Sequence, residues 1–191
     1  MYVIEEYEKI KRITVPDNQG NLLYVTTDND AVLEPIIKQI HKELALTPIN
    51  LGPYIEDHDS WQQHTKKILS YQELCKEVER LGIPKIRFIG ICNRNGQTEC
   101  GDMRPGVISI LSPAEREKSV RVAWKRWKIR KKFSDKIGNG LYVMAVYEKM
   151  KRIIIPIDDN YLILITAELE ANHGEIIDHV LKLTNLFRGG Q

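Results

Sequence analysis

The 191-residue chain is 42% apolar and 28% charged with a formal net charge of +2, the balance of a folded globular protein and neither a disordered nor a fibrous one. No apolar run approaches the roughly 20 residues a membrane helix needs, and the opening MYVIEEYEKIKR lacks the flanks and cleavage site of a secretory signal. A cytoplasmic location without a membrane partner is therefore expected. The charge is segregated, because residues 116–136 hold ten Lys or Arg against Glu117 and Asp135, a net of +8 that leaves −6 elsewhere.

In chain order, residues 1–46 read as three extended segments and a helix, and residues 47–60, TPINLGPYIEDHDS, as a linker without period. Ser60 and Gln63 form a capping-box pattern for a helix to about Leu81, with Ile68, Tyr71, Leu74, Cys75, Val78 and Leu81 as its apolar face and Gly82 and Pro84 as stop signals. Residues 85–93 and 97–103 predict a hairpin about Asn95-Gly96. Ser112, Pro113 and Glu115 give a capping residue, a proline at the first helical position and a capping-box partner, opening a helix to about Lys136 that closes at Gly138. Residues 141–147, 149–157 and 161–167 read as strands, the last apolar throughout and so central, and Asn172 with Glu175 caps a final helix.

A shift of 140 positions superposes MYVIEEYEKIKRITVP on LYVMAVYEKMKRIIIP, and the register runs on without a gap to Lys42 and Lys182. The chain thus carries an internal duplication, and each copy is expected to form the same three strands and helix. Residues 61–188 make a complete domain in the order helix, two strands, helix, three strands, helix, an α/β (α+β) three-layer fold on a five-stranded antiparallel sheet. Residues 1–46 repeat only its last part. A three-stranded sheet with one helix is marginal alone, so the partial copy is expected to dock, pairing strand 1–7 with strand 141–147 as a pseudo-dimer within the chain. Exchange between two chains, giving a homodimer, is the alternative, and a natural start upstream of Met1 is a third.

This element order resembles the roadblock/dynein light-chain architecture, a relative of the longin and profilin-like folds. The stretches IRFIGICNRNG, GDMRPGVISILSPAE and IIIPIDDNYLILIT are similar to those of a group of archaeal proteins with a roadblock-like domain and no assigned activity. The resemblance implies homo- or heterodimers, platforms for small GTPases, and adaptors without catalytic residues. The partial copy departs from a simple domain of this kind.

The helix at 112–136 carries the main functional signal. Lys118, Arg121, Lys125, Lys128, Lys132 and Lys136 fall on one stripe, flanked by Val120, Ala123, Trp124 and Trp127 on one side and Val122, Ile129, Phe133 and Ile137 nearly opposite. One reading makes Trp124, Trp127 and the stripe a contact surface for an acidic protein such as a small GTPase. The other puts both tryptophans in the core beneath a solvated charged face. Nucleic-acid binding through this helix is disfavoured because no recognised nucleic-acid motif accompanies it.

The repeated Tyr-Glu-Lys-x-Lys-Arg at residues 7–12 and 147–152 offers paired cations, or the charged guard of an edge strand. Cys75, Cys92 and Cys100 read as reduced thiols; a two-residue turn would pair Ile91 with Cys100 and set Cys92 on the other face, whereas a three-residue loop would put Cys92 and Cys100 on one face. Asp57, His58, Asp59 and His64 have metal-ligand chemistry but poor convergence. With no phosphate loop, nucleophile elbow or triad spacing, the sequence predicts no enzyme, catalytic residue, metal or cofactor. The expected function is a regulatory interaction module, or alternatively a small-ligand sensor with a pocket beneath the loop at 101–111.

Overall fold

Eight short segments of β-branched and apolar residues assemble into one antiparallel sheet in the computed structural model, which describes residues 1–17, 19–44, 46, 68 and 70–189. The partial copy supplies β1 (Tyr2–Tyr7), β2 (Ile10–Pro16), β3 (Leu22–Asp28) and α1 (Leu33–Glu43). The complete domain adds α2 (Tyr71–Arg80), β4 (Ile86–Asn93), β5 (Thr98–Met103), α3 (Pro113–Lys131), α4 (Ser134–Ile137), β6 (Gly140–Val146), β7 (Lys151–Pro156), β8 (Tyr161–Ala167) and α5 (His173–Arg188). Strand order is β3-β2-β1-β6-β7-β8-β4-β5, so the five strands of the complete domain continue without a gap into the three of the copy.

The seam is β1 against β6, paired antiparallel with Ile4 opposite Met144, Val3 opposite Ala145 and Glu5 opposite Val143. Residues related by the 140-position shift sit symmetrically about the Ile4–Met144 pair, so the seam is a local twofold made within one chain. The pairing expected between strands 1–7 and 141–147 is thus present, and β6 has both neighbours, β1 and β7, inside the chain.

Pleating sends alternate residues to opposite faces. One face carries Tyr2, Ile4, Ile13, Ile153, Ile163 and Ile165, covered by α1, α2 and α5 through Ile37, Leu74, Val78, Ile176, Val180 and Phe187. The other face carries Phe88, Val143, Leu162 and Leu164, covered by α3 through Val120, Ala123 and Trp127. The uninterrupted apolar run of β8 therefore reflects a strand covered on both sides.

The symmetry is broken at chosen places. Asn172 caps α5 by accepting from the Glu175 amide, whereas its counterpart Val32 makes no side-chain cap and α1 is five residues shorter. Tyr142 donates to Glu6 Oε2 at 2.7 Å, but the equivalent pair is Tyr2 and Val146, and the buried Tyr2 hydroxyl has no hydrogen-bond partner among the described residues. Burial accordingly raises the Tyr2 pKa.

Three expectations are corrected. The helix expected to run on from Ser60 to Leu81 is broken at Ser70, whose backbone is extended (φ −142°, ψ 157°) and whose side chain caps α2 by accepting from the Glu73 amide. The linker at 47–60 and the Ser60–Gln63 cap lie outside the described residues. Cys75 and Cys100 are joined as a disulfide with Cα atoms 6.1 Å apart, not reduced, because α2 lays its buried face over β5. The long basic helix ends at Lys131, breaks at Phe133 and resumes as α4, which stops at Gly138 with φ +83°.

Around the hairpin the faces are as the register argument requires, with Ile91 opposite Cys100 and Cys92 buried on the α3 side. The loop holds three residues with Gly96 at φ +89°, and a bulge between Ile91 and Cys92 restores the pairing.

Candidate functional site: the basic helix and the cavity beneath it

The start of α3 is built as its sequence demands. Ser112 accepts from the Glu115 amide at 3.4 Å, Glu115 returns the bond by accepting from the Ser112 amide at 2.8 Å, and Pro113 occupies the first turn. The Ser112 hydroxyl also donates to Glu115 Oε2 at 2.7 Å, and this bond, with the one from the Ser112 amide, holds the Glu115 carboxyl below its usual pKa.

Both tryptophans face inward. Trp127 is 9% exposed and packs among Ala123, Val143 and Leu162, so tightly over Gly140 that an added Cβ there would lie 3.1 Å from the indole. Trp124 is half-buried and donates from Nε1 to the Asn93 carbonyl at 2.9 Å, which ties α3 to the hairpin. The hairpin tip is held further by Arg121, which donates to the Asn95 carbonyl at 3.1 Å. The indoles thus lie as the second reading of this helix places them, serving as the sheet-side anchor.

The outer surface is charged and punctuated by apolar groups. Lys118, Arg121, Lys125, Lys128, Lys132 and Lys136 are all exposed, and the five lysines make no ion pair with any described residue. The helix ends at Lys131, which leaves Lys132 as its cap and places Lys136 in α4. Val122, Ile129 and Phe133 stand exposed beside the stripe, the last two by 57% and 52%. These, not the tryptophans, are the apolar groups this surface offers.

Beneath α3 the seam is locked by charge. Glu5 of β1 accepts from Arg12 Nε through Oε2 and from Arg130 Nε of α3 through Oε1, each at 2.5 Å, and Arg12 also donates to the Tyr7 hydroxyl at 3.0 Å. The repeated Tyr-Glu-Lys-x-Lys-Arg motif therefore makes internal contacts in both copies. Lys11 donates to the Ala31 carbonyl at 3.2 Å and Lys151 to the Ala171 carbonyl at 2.9 Å, the same contact 140 positions on. Because β7 is an inner strand, its Lys151 is not an edge guard. Lys151 is fully buried, and burial lowers its pKa to about 8.

The space between α3 and the sheet is not filled. A cavity of about 520 Å³ lies under the loop before α3, lined by Phe88, Met103, Ser109, Leu111, Arg116 and Leu164. A second of about 530 Å³ runs toward the seam between Val3, Val122, Trp127, Val143, Ala145 and Ile154. Arg152, Tyr147 and Ser119 line both. Arg152 donates to Ser119 Oγ at 2.6 Å and to the Ser119 carbonyl at 3.2 Å, and burial lowers its pKa. Sequence reasoning anticipated a pocket near this loop and named Arg152 among the paired cations of the repeated motif, but missed the Glu5 cluster and the disulfide. The metal candidates Asp57, His58, Asp59 and His64 lie outside the described residues.

The class this arrangement defines is an α/β domain with helices on both faces of an antiparallel sheet, the complete unit running helix, two strands, two helices, three strands, helix. No model of a protein family matches the chain, and no curated protein matches it. Among solved structures it is similar to a Roadblock/LC7 domain from Streptomyces avermitilis, at 11% identity over 61% of this chain and 92% of that one, with a TM-score of 0.46. It is also similar to the gliding protein MglB from Thermus thermophilus, at 12% identity over 60% and 83% of the two chains with a TM-score of 0.48. MglC from Myxococcus xanthus matches at 10% identity over 64% and 100%, with a TM-score of 0.43.

Proposed function

We propose that this protein is a non-enzymatic regulatory adaptor of roadblock type, acting in the cytoplasm, whose α3 surface holds an acidic protein partner such as a small GTPase. The observation that carries this is the row of exposed lysines without ion pairs to any described residue, interleaved with Val122, Ile129 and Phe133 on a helix tied to the hairpin by Trp124. Such a face steers an acidic surface by charge and gives it apolar contacts on arrival. Trp124 and Trp127 contribute by fixing the helix. Self-association of two copies belongs to the same reading and would use a surface other than the β6 edge, which β1 occupies.

The test compares affinity capture by the intact protein and by a variant carrying R121E, K125E, K128E and K132E, in low and high salt and with and without nuclease. A defined acidic protein lost from the variant and weakened by salt supports the adaptor. Recovery that vanishes with nuclease would replace it with a nucleic-acid-binding role. The same proteins held by both forms would make the stripe solvated surface. A second reading, a small-ligand sensor, draws on the cavity under α3 and predicts a ligand-dependent rise in melting temperature.

A further inference from the structure

The duplication supplies an internal control for Arg152. In the partial copy Arg12 lies beside Tyr7, and its charge is met by the Glu5 carboxylate. Moved by 140 positions, Arg12 becomes Arg152 and Tyr7 becomes Tyr147, but Glu5 becomes Ala145. Arg152 keeps its guanidinium half-buried under α3, hydrogen-bonded to the neutral Ser119, with no ion pair to any described carboxylate. A guanidinium removed from water without a counter-anion is costly, and that cost is relieved when an anion enters. Arg152, Tyr147 and Ser119 line both cavities, and where the carboxylate is missing Ala145 instead lines the second, toward the seam.

We propose that this cavity binds a small organic acid, its carboxylate taking on Arg152 the place that the Glu5 carboxylate takes on Arg12, and its apolar body lying between α3 and the sheet. The walls suit that division. Val3, Val143 and Ile154 present carbon in this second cavity, while Phe88 and Leu164 do so in the first, where Arg116 lies 5.2 Å from the Phe88 ring. Each cavity volume lies in the usual range for small-molecule sites and accommodates a body of about ten carbon atoms. The site makes no use of the exposed lysines of α3, so it stands independently of the adaptor reading.

The chain's own chemistry provides the test. A145E recreates the Glu5 arrangement and places a tethered carboxylate on Arg152, while A145Q fills the same volume without charge. Binding of decanoate is measured by titration calorimetry to wild type, A145E, A145Q and R152M, with 1-decanol as the uncharged probe. Wild type binds decanoate at least about tenfold more tightly than decanol, A145E loses decanoate by at least about tenfold relative to A145Q, and R152M loses the preference for the acid. No heat with decanoate at about 1 mM, or equal decanoate affinity in A145E and A145Q, overturns the proposal. If R152M does not fold, the A145E and A145Q pair decides alone, since both keep Arg152.

Discussion

Replacing Glu5 by glutamine should loosen the seam between the two copies, and the structure sets how much. The Glu5 side chain is 6% exposed and uses both carboxylate oxygens, one on Arg12 and one on Arg130, whose side chains are 35% and 15% exposed. Glutamine keeps the volume but removes the charge, leaving two guanidiniums facing a neutral amide. Breaking a buried pair by deleting one partner costs about 3–5 kcal/mol. The Arg12 side is open enough to water for screening to reduce its share, so a loss of about 2–4 kcal/mol is expected. Urea unfolding followed by tryptophan fluorescence reads this directly, because Trp127 lies over the seam beside Gly140. A double-mutant cycle of E5Q with R130M should show a coupling of at least about 1 kcal/mol, since Glu5 and Arg130 are in contact. A loss under about 0.5 kcal/mol in E5Q would refute the argument, because it would mean that α3 and the partial copy are joined by packing alone.

Three further outcomes follow from the same contacts. Y2F should leave stability unchanged or raise it by up to about 1 kcal/mol, while Y142F should lower it by about 1–2 kcal/mol, since of the two hydroxyls only that of Tyr142 has an acceptor among the described residues; equal effects in thermal melts would contradict this. Reducing the Cys75–Cys100 bridge, which spans 25 positions, should cost about 3–4 kcal/mol by the chain-entropy argument, and a C75S/C100S variant should match the reduced protein in urea. Lys151 carries a pKa lowered from 10.5 to about 8, so the unfolded chain holds its proton more tightly than the folded one. Its cost is present in full below pH 8 and is relieved as pH rises toward 10.5. Relative to K151M, wild type should therefore gain stability between about pH 8 and 10, by at most about 3 kcal/mol, and a gain in the opposite direction would invert the assignment.

Much of the architecture was legible because it is written in local patterns. The 140-position repeat, the cap at Ser112, Pro113 and Glu115, and the alternation in the strands each depend on residues close in sequence or on a plain self-comparison. The face taken by Cys92 followed from register, although the hairpin reaches that register through a three-residue loop and a compensating bulge. The orientation of α3 was not legible, because apolar residues flank its basic stripe on both sides. What decided it was the Asn93 carbonyl waiting for the Trp124 indole and Gly140 making room for Trp127, both on other elements. Glu5 and Arg130 are 125 positions apart, and Cys75 and Cys100 lie on a helix and a strand with no shared pattern, so only the assembled sheet brings them together. One signal for Arg152 was available all along, in the column where the copies exchange Glu5 for Ala145.

A symmetric dimer must carry every substitution on both sides of its axis. Here the twofold at Ile4 and Met144 lies inside one polypeptide, so each side has been free to drift alone. That freedom shows in an acid kept on one side and lost on the other, and in a helix capped at one end of the sheet and uncapped at the opposite one. With both sides of the twofold in one chain the two need not match, and Glu5 braces one side while Ala145 lines a cavity on the other.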